Sequence, residues 1–346
     1  MNATDATASD AGAITYVTGE SLTRRSIRRL LRRRLAVICL VVIAVFYSAG
    51  MLAPLVAPYS YTHQNLDSSF DGPSLHHPFG TDRNGRDMLS RTMFAARTTV
   101  IVTAATFATG FVLLPVTLGM VAGYRRGFAD ALINRTGEIL SSLPGLPMLV
   151  LINATMRPRF VGWVGDLEDL IDVSFVRSIY RALSLCDTSG HTVGCRPLTS
   201  SGFADYFLIF GVLSLFGWVG GARLVRTQVL TLRGSEFILA AEASGASTRR
   251  VLFQHILPNI MPLVIVGASA SLGSIALSEI GLTFLGVGIQ PPHPSFGALI
   301  TDGAARSVLE NHPELLIVPA SVVASLIFAF NLLGDSLNDV FTSKAQ

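Results

Sequence analysis

The segment EFILAAEASGASTRRVLFQHILPN, residues 236–259, is polar and rich in helix-forming residues, and it lies between two long apolar runs. Ser235 precedes the segment and is suited to cap a helix at its start. Gly245 suits a left-handed C-terminal cap, and Ser247 suits the start of a second helix running toward Pro258. The segment therefore predicts two helices joined by a sharp turn, between two membrane spans.

The first of these helices presents one aromatic residue and several small residues on a single face. Residues spaced i, i+3, i+4 and i+7 share a helix face, and here they are Phe237, Ala240, Ala241 and Ser244. Small residues allow another surface to approach closely. The pattern fits a helix that docks in a groove on a partner, and it equally fits a helix packed against its own bundle.

Outside this segment the chain is strongly apolar. Hydrophobic residues make up 50% of the 346 residues and charged residues 14%, against about 25% charged residues in soluble domains. A membrane-crossing helix needs about 20 apolar residues. We therefore predict an all-α polytopic membrane protein with about six spans, near Leu35–Ala57, Thr98–Gly123, Leu140–Met156, Phe203–Val225, Ile260–Leu285 and Leu315–Leu337. The third is the weakest, because Pro144, Gly145 and Pro147 interrupt it.

Arginine determines the predicted orientation, because Lys344 is the one lysine in the sequence. Seven arginines precede the first span: Arg24, Arg25, Arg28, Arg29, Arg32, Arg33 and Arg34. Since positive residues beside spans remain in the cytoplasm, we expect both termini to be cytoplasmic, together with the loops at 124–139 and 228–259. Binding of anionic lipid by the same arginines is a secondary interpretation.

The spans and loops divide the chain into three parts. They are a cytoplasmic, disordered tail with a basic flank (1–34), the first span with an external segment (35–97), and a core with five spans (98–346). The core includes an external insert at 157–202 and the cytoplasmic loop at 228–259. Apolar residues recur at helical spacing from Trp163 to Leu183 in the insert, which predicts an amphipathic helix. The first span is too long for a cleaved signal peptide.

Three cysteines are present, Cys39, Cys186 and Cys195. Cys39 lies within the first span, where it serves packing. Cys186 and Cys195 fall in the same external insert, where an oxidising environment favours a disulfide. Two unpaired thiols remain the alternative, because spacing alone does not determine pairing.

The motifs of enzymes are missing from the sequence. A phosphate-binding loop needs Gly-Lys-Ser/Thr, but Lys344 is followed by Ala345. No His-Glu-x-x-His occurs, and the adjacent His76 and His77 point apart on most backbones and make a poor metal pair. No Gly-x-Ser-x-Gly elbow stands out. We therefore predict a non-enzymatic chain with no catalytic residue, metal or cofactor of its own, and no nucleic-acid partner.

The loop at 228–259 resembles the Glu-Ala-Ala loop of ABC importer permeases. That pattern reads Glu-Ala-Ala, three residues, Gly, nine residues, Ile, one residue, Leu-Pro, and the matching residues are Ala240, Ala241, Gly245, Leu257 and Pro258. Leu239 and His255 stand where the family has Glu and Ile. In that family the first helix is the coupling helix, which docks on a cytoplasmic ATPase. The resemblance implies this role for Glu236, Phe237, Ala240, Ala241, Ser244, Gly245 and Ala246.

Three further segments narrow the resemblance to the C-type subunit of dipeptide and oligopeptide permeases. They are HPFGTDRNGRDMLSRTMFAART (77–98), GLTFLGVGIQPPHPSFGALITDG (281–303) and FNLLGDSLNDVF (330–341). The resemblance implies a type I importer permease fold in the bacterial cytoplasmic membrane, and import of peptides brought by an external substrate-binding protein. It also implies a homologous second permease and two ATPase subunits that use ATP and Mg. The N-terminal tail and the 157–202 insert lie outside the resemblance.

Polar residues in or at the ends of the spans are candidates for gating or translocation. They are Glu279, Asn331, Asp335, Arg223 and Arg226. An ionisable residue within a span is a functional candidate. For Glu279 the alternatives are a structural or gating role, including a hydrogen-bonded lock between helices, and direct contact with peptide. Arg223 and Arg226 are either snorkelling anchors or hinges of the coupling motion.

Other functions remain compatible with the residues. Nickel and glutathione importers have similar permeases, so the substrate remains open within the importer family. An ion-coupled secondary transporter predicts inverted repeats and broken helices; the third span is broken, but no repeat is apparent. A membrane scaffold without transport activity is the third alternative, and copurifying ATPase subunits distinguish the importer from the last two.

Overall fold

The computed structural model describes residues 30–170 and 202–342. The predicted all-α class is confirmed, and within the described residues a bridge between Thr81 and Asp87 is the single extended pairing. The helices are α1 (Arg34–Val56), α2 (Met88–Thr106), α3 (Leu114–Arg125), α4 (Phe128–Ser142), α5 (Gly145–Leu170), α6 (Phe203–Arg233), α7 (Glu236–Ala243), α8 (Thr248–Arg250), α9 (Leu257–Phe284), α10 (Phe296–Gly303), α11 (Arg306–Asn311) and α12 (Glu314–Thr342).

Within residues 30–170 and 202–342, five helical stretches are long and apolar enough to cross a membrane. They are Arg34–Val56, Met88–Arg125, Ala204–Arg233, Thr248–Phe284 and Glu314–Asp339. Each corresponds to one predicted span, and the remaining predicted span corresponds to α5, whose C-terminal half carries Arg157, Arg159 and Asp166. The chain is therefore a multi-pass membrane protein, and about six spans remain consistent with the structure.

The third span differs from its predicted position. The predicted span began at Leu140, but the helix breaks at Leu143, and α5 begins at Gly145. It then continues through Pro158 to Leu170, so the first residues of the predicted external insert belong to the same helix as the span. The rest of that insert, with Cys186 and Cys195, lies outside the described residues, as does the N-terminal tail to residue 29.

A widened π-helical turn lies between α2 and α3, at Phe107–Leu113. It ends next to Pro115, whose nitrogen carries no hydrogen and whose ring clashes with the carbonyl four residues earlier. Leu114 donates its N–H to the carbonyl of Thr109, five residues back rather than four. The wider turn accommodates the proline, so the helix from α2 to α3 continues without a break.

The same arrangement occurs at the entrance to α9. A π-helical turn at Val251–Ile256 precedes Pro258, and Leu257 donates its N–H to the carbonyl of Leu252. The second helix of the polar loop and the fifth predicted span are consequently one continuous helix, Thr248–Phe284.

Close contact between α3 and α6 forms the centre of the bundle. A Cβ on Gly119 would lie 2.6 Å from Cβ of Val225, and a Cβ on Gly123 would lie 2.8 Å from Cβ of Val229. Only glycine therefore allows the two helices to approach this closely. One buried cluster joins α3, α6, α7 and α9 at the end of the bundle that carries the polar loop. A second cluster joins α1, α2, α9, α10 and α12.

Candidate coupling loop and intramembrane polar residues

The turn after α7 has the predicted left-handed glycine. Gly245 has a φ of +80°. Its N–H donates to the carbonyl of Glu242, and the N–H of Ala246 donates to the carbonyl of Ala241, both at 3.0 Å. These two bonds satisfy carbonyls that the end of a helix leaves free. The geometry confirms the predicted sharp turn.

The two predicted N-terminal caps have different outcomes. Ser247 accepts a hydrogen bond from the N–H of Arg250 at 3.4 Å, as predicted for the second helix. The prediction for Ser235 is wrong, because its hydroxyl donates instead to the carbonyl of Leu232 at 2.5 Å. Its oxygen makes no capping bond to α7, because the serine completes the end of α6.

Ile238 anchors α7 to the membrane-spanning bundle. Its side chain is completely buried in the cluster at the loop end of the bundle. The residues around it include Val229 of α6, Ile256 of the π-helical turn before α9, and Ile260 of α9. Local sequence does not single out Ile238, because the partners that bury it come from distant parts of the chain.

Polar contacts attach α7 at a second point. The hydroxyl of Tyr124, at the end of α3, donates to Glu242 at 2.7 Å. Arg233, the last residue of α6, donates to the carbonyl of Tyr124 at 2.8 Å, and its guanidinium lies 5.2 Å from the centre of the tyrosine ring. Tyr124 therefore joins α3, α6 and α7 at one place.

The two flanks of α7 beside Ile238 carry exposed apolar side chains. Phe237 is 45% exposed and Leu239 is 53% exposed, and nearby Phe253 is 52% exposed. The predicted docking face included Phe237, Ala240, Ala241 and Ser244. Ala240 and Ser244 are exposed, but Ala241 and Ala246 are half-buried, and Glu236 is exposed at the start of the helix. Both interpretations of the helix therefore apply, because one face packs on the bundle and the other is open.

Glu279 lies completely buried between α2 and α9. Its carboxyl group accepts a hydrogen bond from Thr99 Oγ1 at 2.9 Å and a longer one from Thr283 Oγ1 at 3.4 Å. The segment before α10 is bound to the same place, because the N–H of Ile289 donates to Thr283 Oγ1 at 3.3 Å. Glu279 thus connects three parts of the bundle, as a hydrogen-bonded lock does.

Asn331, Asp335 and Arg223 are exposed, unlike the buried Glu279. Asn331 and Asp335 are exposed on α12, and Arg223 is exposed on α6. Among the described residues, no group of three or more His, Cys, Asp or Glu side chains is arranged to hold a metal ion.

Arg226 forms an ion pair that ties α6 to α4. Its Nε and Nη2 donate to the two carboxylate oxygens of Asp130 at 2.5 and 2.6 Å. These hydrogen bonds hold the pKa of Asp130 below its ordinary value. Planar, two-bond pairing of this kind fixes orientation as well as distance, so Arg226 is a structural link between these helices.

Comparison with known proteins identifies the family. Residues 115–346 match the family described as binding-protein-dependent transport system inner membrane component. The chain belongs to this family. Residues 21–78 also match the N-terminal transmembrane domain of oligopeptide transport permease C. The predicted ABC importer permease of the dipeptide and oligopeptide type is confirmed, and with it the predicted permease fold.

Relatives of this permease align along almost its whole length. The oligopeptide transport system permease protein OppC of Haemophilus influenzae is 32% identical over 329 residues, 94% of this chain and 90% of the relative. The dipeptide transport system permease protein DppC of Bacillus subtilis is 31% identical over 326 residues, 94% of this chain and 87% of the relative. OppC of Escherichia coli is 32% identical over 330 residues, 95% of this chain and 93% of the relative.

The segment before α2 of the permease folds around Asp82. Its Oδ1 accepts the backbone N–H groups of Asn84 and Arg86 at 2.8 and 3.0 Å. Its Oδ2 accepts Nε of Arg86 at 2.7 Å and Nη1 of Arg91 at 2.6 Å. Because Arg91 lies in α2 and also reaches Asp302 of α10 at 3.6 Å, the motif HPFGTDRNGRDMLSR joins these helices rather than forming a separate site.

A second buried aspartate organises the same end of the permease. Asp205, near the start of α6, accepts Nε of Arg157 at 2.7 Å and the backbone N–H of Gln290 at 3.2 Å. It joins α5, α6 and the segment that follows α9. No local pattern predicts this contact, because Arg157 and Asp205 are 48 residues apart in the sequence.

Proposed function

We propose that the chain is a membrane-spanning permease subunit of an ATP-driven importer, and that it translocates peptides delivered by an external substrate-binding protein. The family match supports the importer, and the relatives named as dipeptide and oligopeptide permeases support the peptide substrate. The proposed mechanism is based on one observation about the coupling helix α7. Its Ile238 is buried in the bundle, while Phe237 and Leu239 are exposed.

The proposed assembly contains a homologous second permease, two cytoplasmic ATPase subunits and the external binding protein. ATP and Mg bind to the ATPase subunits, and this chain contributes no nucleotide site or cofactor. The assembly lies in the bacterial cytoplasmic membrane with both termini of this chain in the cytoplasm. The arginines before α1 and around α7 and α8 support this orientation.

Force passes from the ATPase to the membrane through α7. Closure of the ATPases on ATP moves the exposed face of α7, and Ile238 and the Tyr124–Glu242 bond transmit that movement to the bundle. The continuous helix Thr248–Phe284 has 37 residues, about 55 Å at 1.5 Å per residue. The helix is long enough to carry the movement from the loop to the other side of the membrane.

Reconstitution of the complex tests this proposal. ATPase subunits are expected to copurify with the permease, and uptake of a labelled peptide into proteoliposomes should require both ATP and the binding protein. Phe237→Asp should remove copurification, because it places a charge in the apolar docking face. Phe128→Asp is the matched control, since Phe128 is 82% exposed at the start of α4 and lies outside α7.

The other outcomes distinguish the alternatives. ATP-dependent uptake of nickel or glutathione, but not of peptide, would keep the importer and change its substrate. Uptake driven by an ion gradient without ATPase subunits would identify a secondary transporter. A complex without any transport would identify a scaffold.

A further inference from the structure

An aromatic side chain separates two clefts in the membrane-spanning part of the permease. The clefts have volumes of about 310 Å³ and about 230 Å³. Phe111, from the π-helical turn between α2 and α3, and Gly217 of α6 line both of them. The same two residues therefore form the boundary between the clefts.

The ring of Phe111 rests directly on the backbone of α6. A Cβ on Gly217 would lie 2.7 Å from Cε2 and 3.0 Å from Cζ of the ring, closer than real Cβ contacts. Glycine at this position therefore allows the ring edge to reach the neighbouring helix and close the gap. The widened turn that carries Phe111 is a feature that occurs frequently at functional sites.

The two clefts follow one another along α6 and α9. The larger cleft extends toward the coupling loop, because its walls include Val225 and Val264, which also belong to the cluster around Ile238. The smaller cleft extends in the other direction to Ser278, the neighbour of Glu279. Phe111 thus lies on the line between the coupling loop and the buried glutamate.

Hydroxyl groups of α9 line both clefts. Ser271 lines the larger one, and Ser274 and Ser278 line the smaller one. Each donates its proton to a carbonyl of its own helix at 2.7–2.8 Å, which leaves the oxygen lone pairs as acceptors. Such acceptors suit the amide N–H and ammonium groups of a peptide.

We propose that Phe111 is an internal gate of the permease, closed when its ring rests on Gly217. Displacement of the ring joins the two clefts into one passage lined by the α9 hydroxyls. The inference that a peptide moves through this passage rests on the function proposed above. The barrier itself is measurable without any substrate.

Cysteine labelling of the complete transporter complex tests the barrier. Ser278→Cys is introduced after replacement of Cys39, Cys186 and Cys195 by serine, and a membrane-impermeant thiol reagent is added from the coupling-loop side of inside-out vesicles without ATP. Ser278 is exposed on the isolated chain, but the proposed second permease and the lipid cover that side in the complex, so with Phe111 intact the new cysteine should react slowly. Phe111→Ala should raise its labelling rate at least tenfold. Phe328→Ala, at a position on α12 that is 65% exposed, should leave the rate unchanged.

A pair of glycine variants tests the position of the ring without removing it. Gly217→Ala places a methyl group where the ring edge lies and should raise labelling at least threefold. Gly211→Ala changes the same helix in the same way, but nothing lies within 4 Å of its new methyl group, so labelling should stay constant. The pair remains informative if Phe111→Ala does not assemble.

Two results would overturn the gate. One is fast labelling of Ser278→Cys with Phe111 intact, and the other is a rate that neither Phe111→Ala nor Gly217→Ala changes. If peptide uptake by the unsubstituted complex is normal, such a result contradicts the proposed gate and leaves the proposed function standing. Absence of peptide uptake in that complex overturns the proposed function and leaves the labelling result valid.

Discussion

Replacement of Ile238 by alanine should loosen the attachment of α7 to the membrane-spanning bundle. It leaves in place the exposed residues of α7 that are proposed to dock on the ATPase. The side chain is completely buried among residues of α3, α6 and α9. Removing such a side chain costs about 2–5 kcal/mol, through lost burial and the cavity that remains. Since each 1.4 kcal/mol is a factor of ten in an equilibrium, the detached population of the loop should rise roughly 30-fold or more.

The rest of the bundle should remain folded in this variant. The contact of α3 with α6 depends on Gly119 and Gly123, whose closest neighbours are residues of α6 such as Val225 and Val229. The Tyr124–Glu242 bond is also retained. The change is therefore expected to free α7 locally, with normal expression and membrane insertion.

Limited proteolysis of the purified permease measures the detached population. Arg249 and Arg250 are exposed trypsin sites in the turn of helix after Gly245, and cleavage at a structured site follows the open fraction when closing is fast. Ile238→Ala should accelerate cleavage there at least tenfold. Leu239→Ala should not, because that side chain is 53% exposed and anchors nothing.

The assembled complex supplies the second measurement. Both variants should reduce peptide-stimulated ATP hydrolysis, Ile238→Ala through loss of anchoring and Leu239→Ala through loss of apolar docking area alone. Equal trypsin sensitivity of the two variants would refute the anchoring role of Ile238. Unchanged ATP hydrolysis with Leu239→Ala would instead exclude Leu239 from the docking face.

Three further predictions concern sites outside the anchor. Glu279→Ala should reduce ATP-dependent uptake more than it reduces assembly, because Glu279 joins α2 to α9; normal uptake at normal expression would make it a dispensable buried group. Ala241→Asp should uncouple ATP hydrolysis from peptide, since a half-buried joint disfavours an unpaired charge; wild-type coupling would show that the joint tolerates it. Cys186 and Cys195 should form a disulfide, and their alkylation without prior reduction, detected by peptide mass spectrometry, would contradict the bond.

Span number and the turn at Gly245 follow from local sequence, because each depends on one stretch of chain. A long apolar run determines a membrane helix, and a glycine after a short helix determines a left-handed cap. The Glu242–Tyr124 bond is different, since its partners are 118 residues apart. Contacts of this kind depend on how helices pack, which no local pattern specifies.

The prolines in the sequence did not predict the limits of the third span or the two π-helical turns. Pro144 and Pro147 suggested a broken span centred on 140–156, but the helix restarts at Gly145 and runs to Leu170. The Leu-Pro pairs at 114–115 and 257–258 were a usable signal, because a proline inside a long apolar run requires a local change in hydrogen bonding. Composition alone does not distinguish a break from a wider turn.

The contacts connect the proposed gate to the coupling loop through one helix. Helix Thr248–Phe284 begins beside α7, passes both clefts with its serine face, and reaches Glu279. There Thr99 holds the glutamate at 2.9 Å, and Thr99 belongs to the same continuous helix as Phe111. A movement of α9 that displaces Glu279 therefore pulls on the helix that carries the gate. In the proposed mechanism the buried glutamate acts by joining two moving helices, and it does so without contact with the peptide.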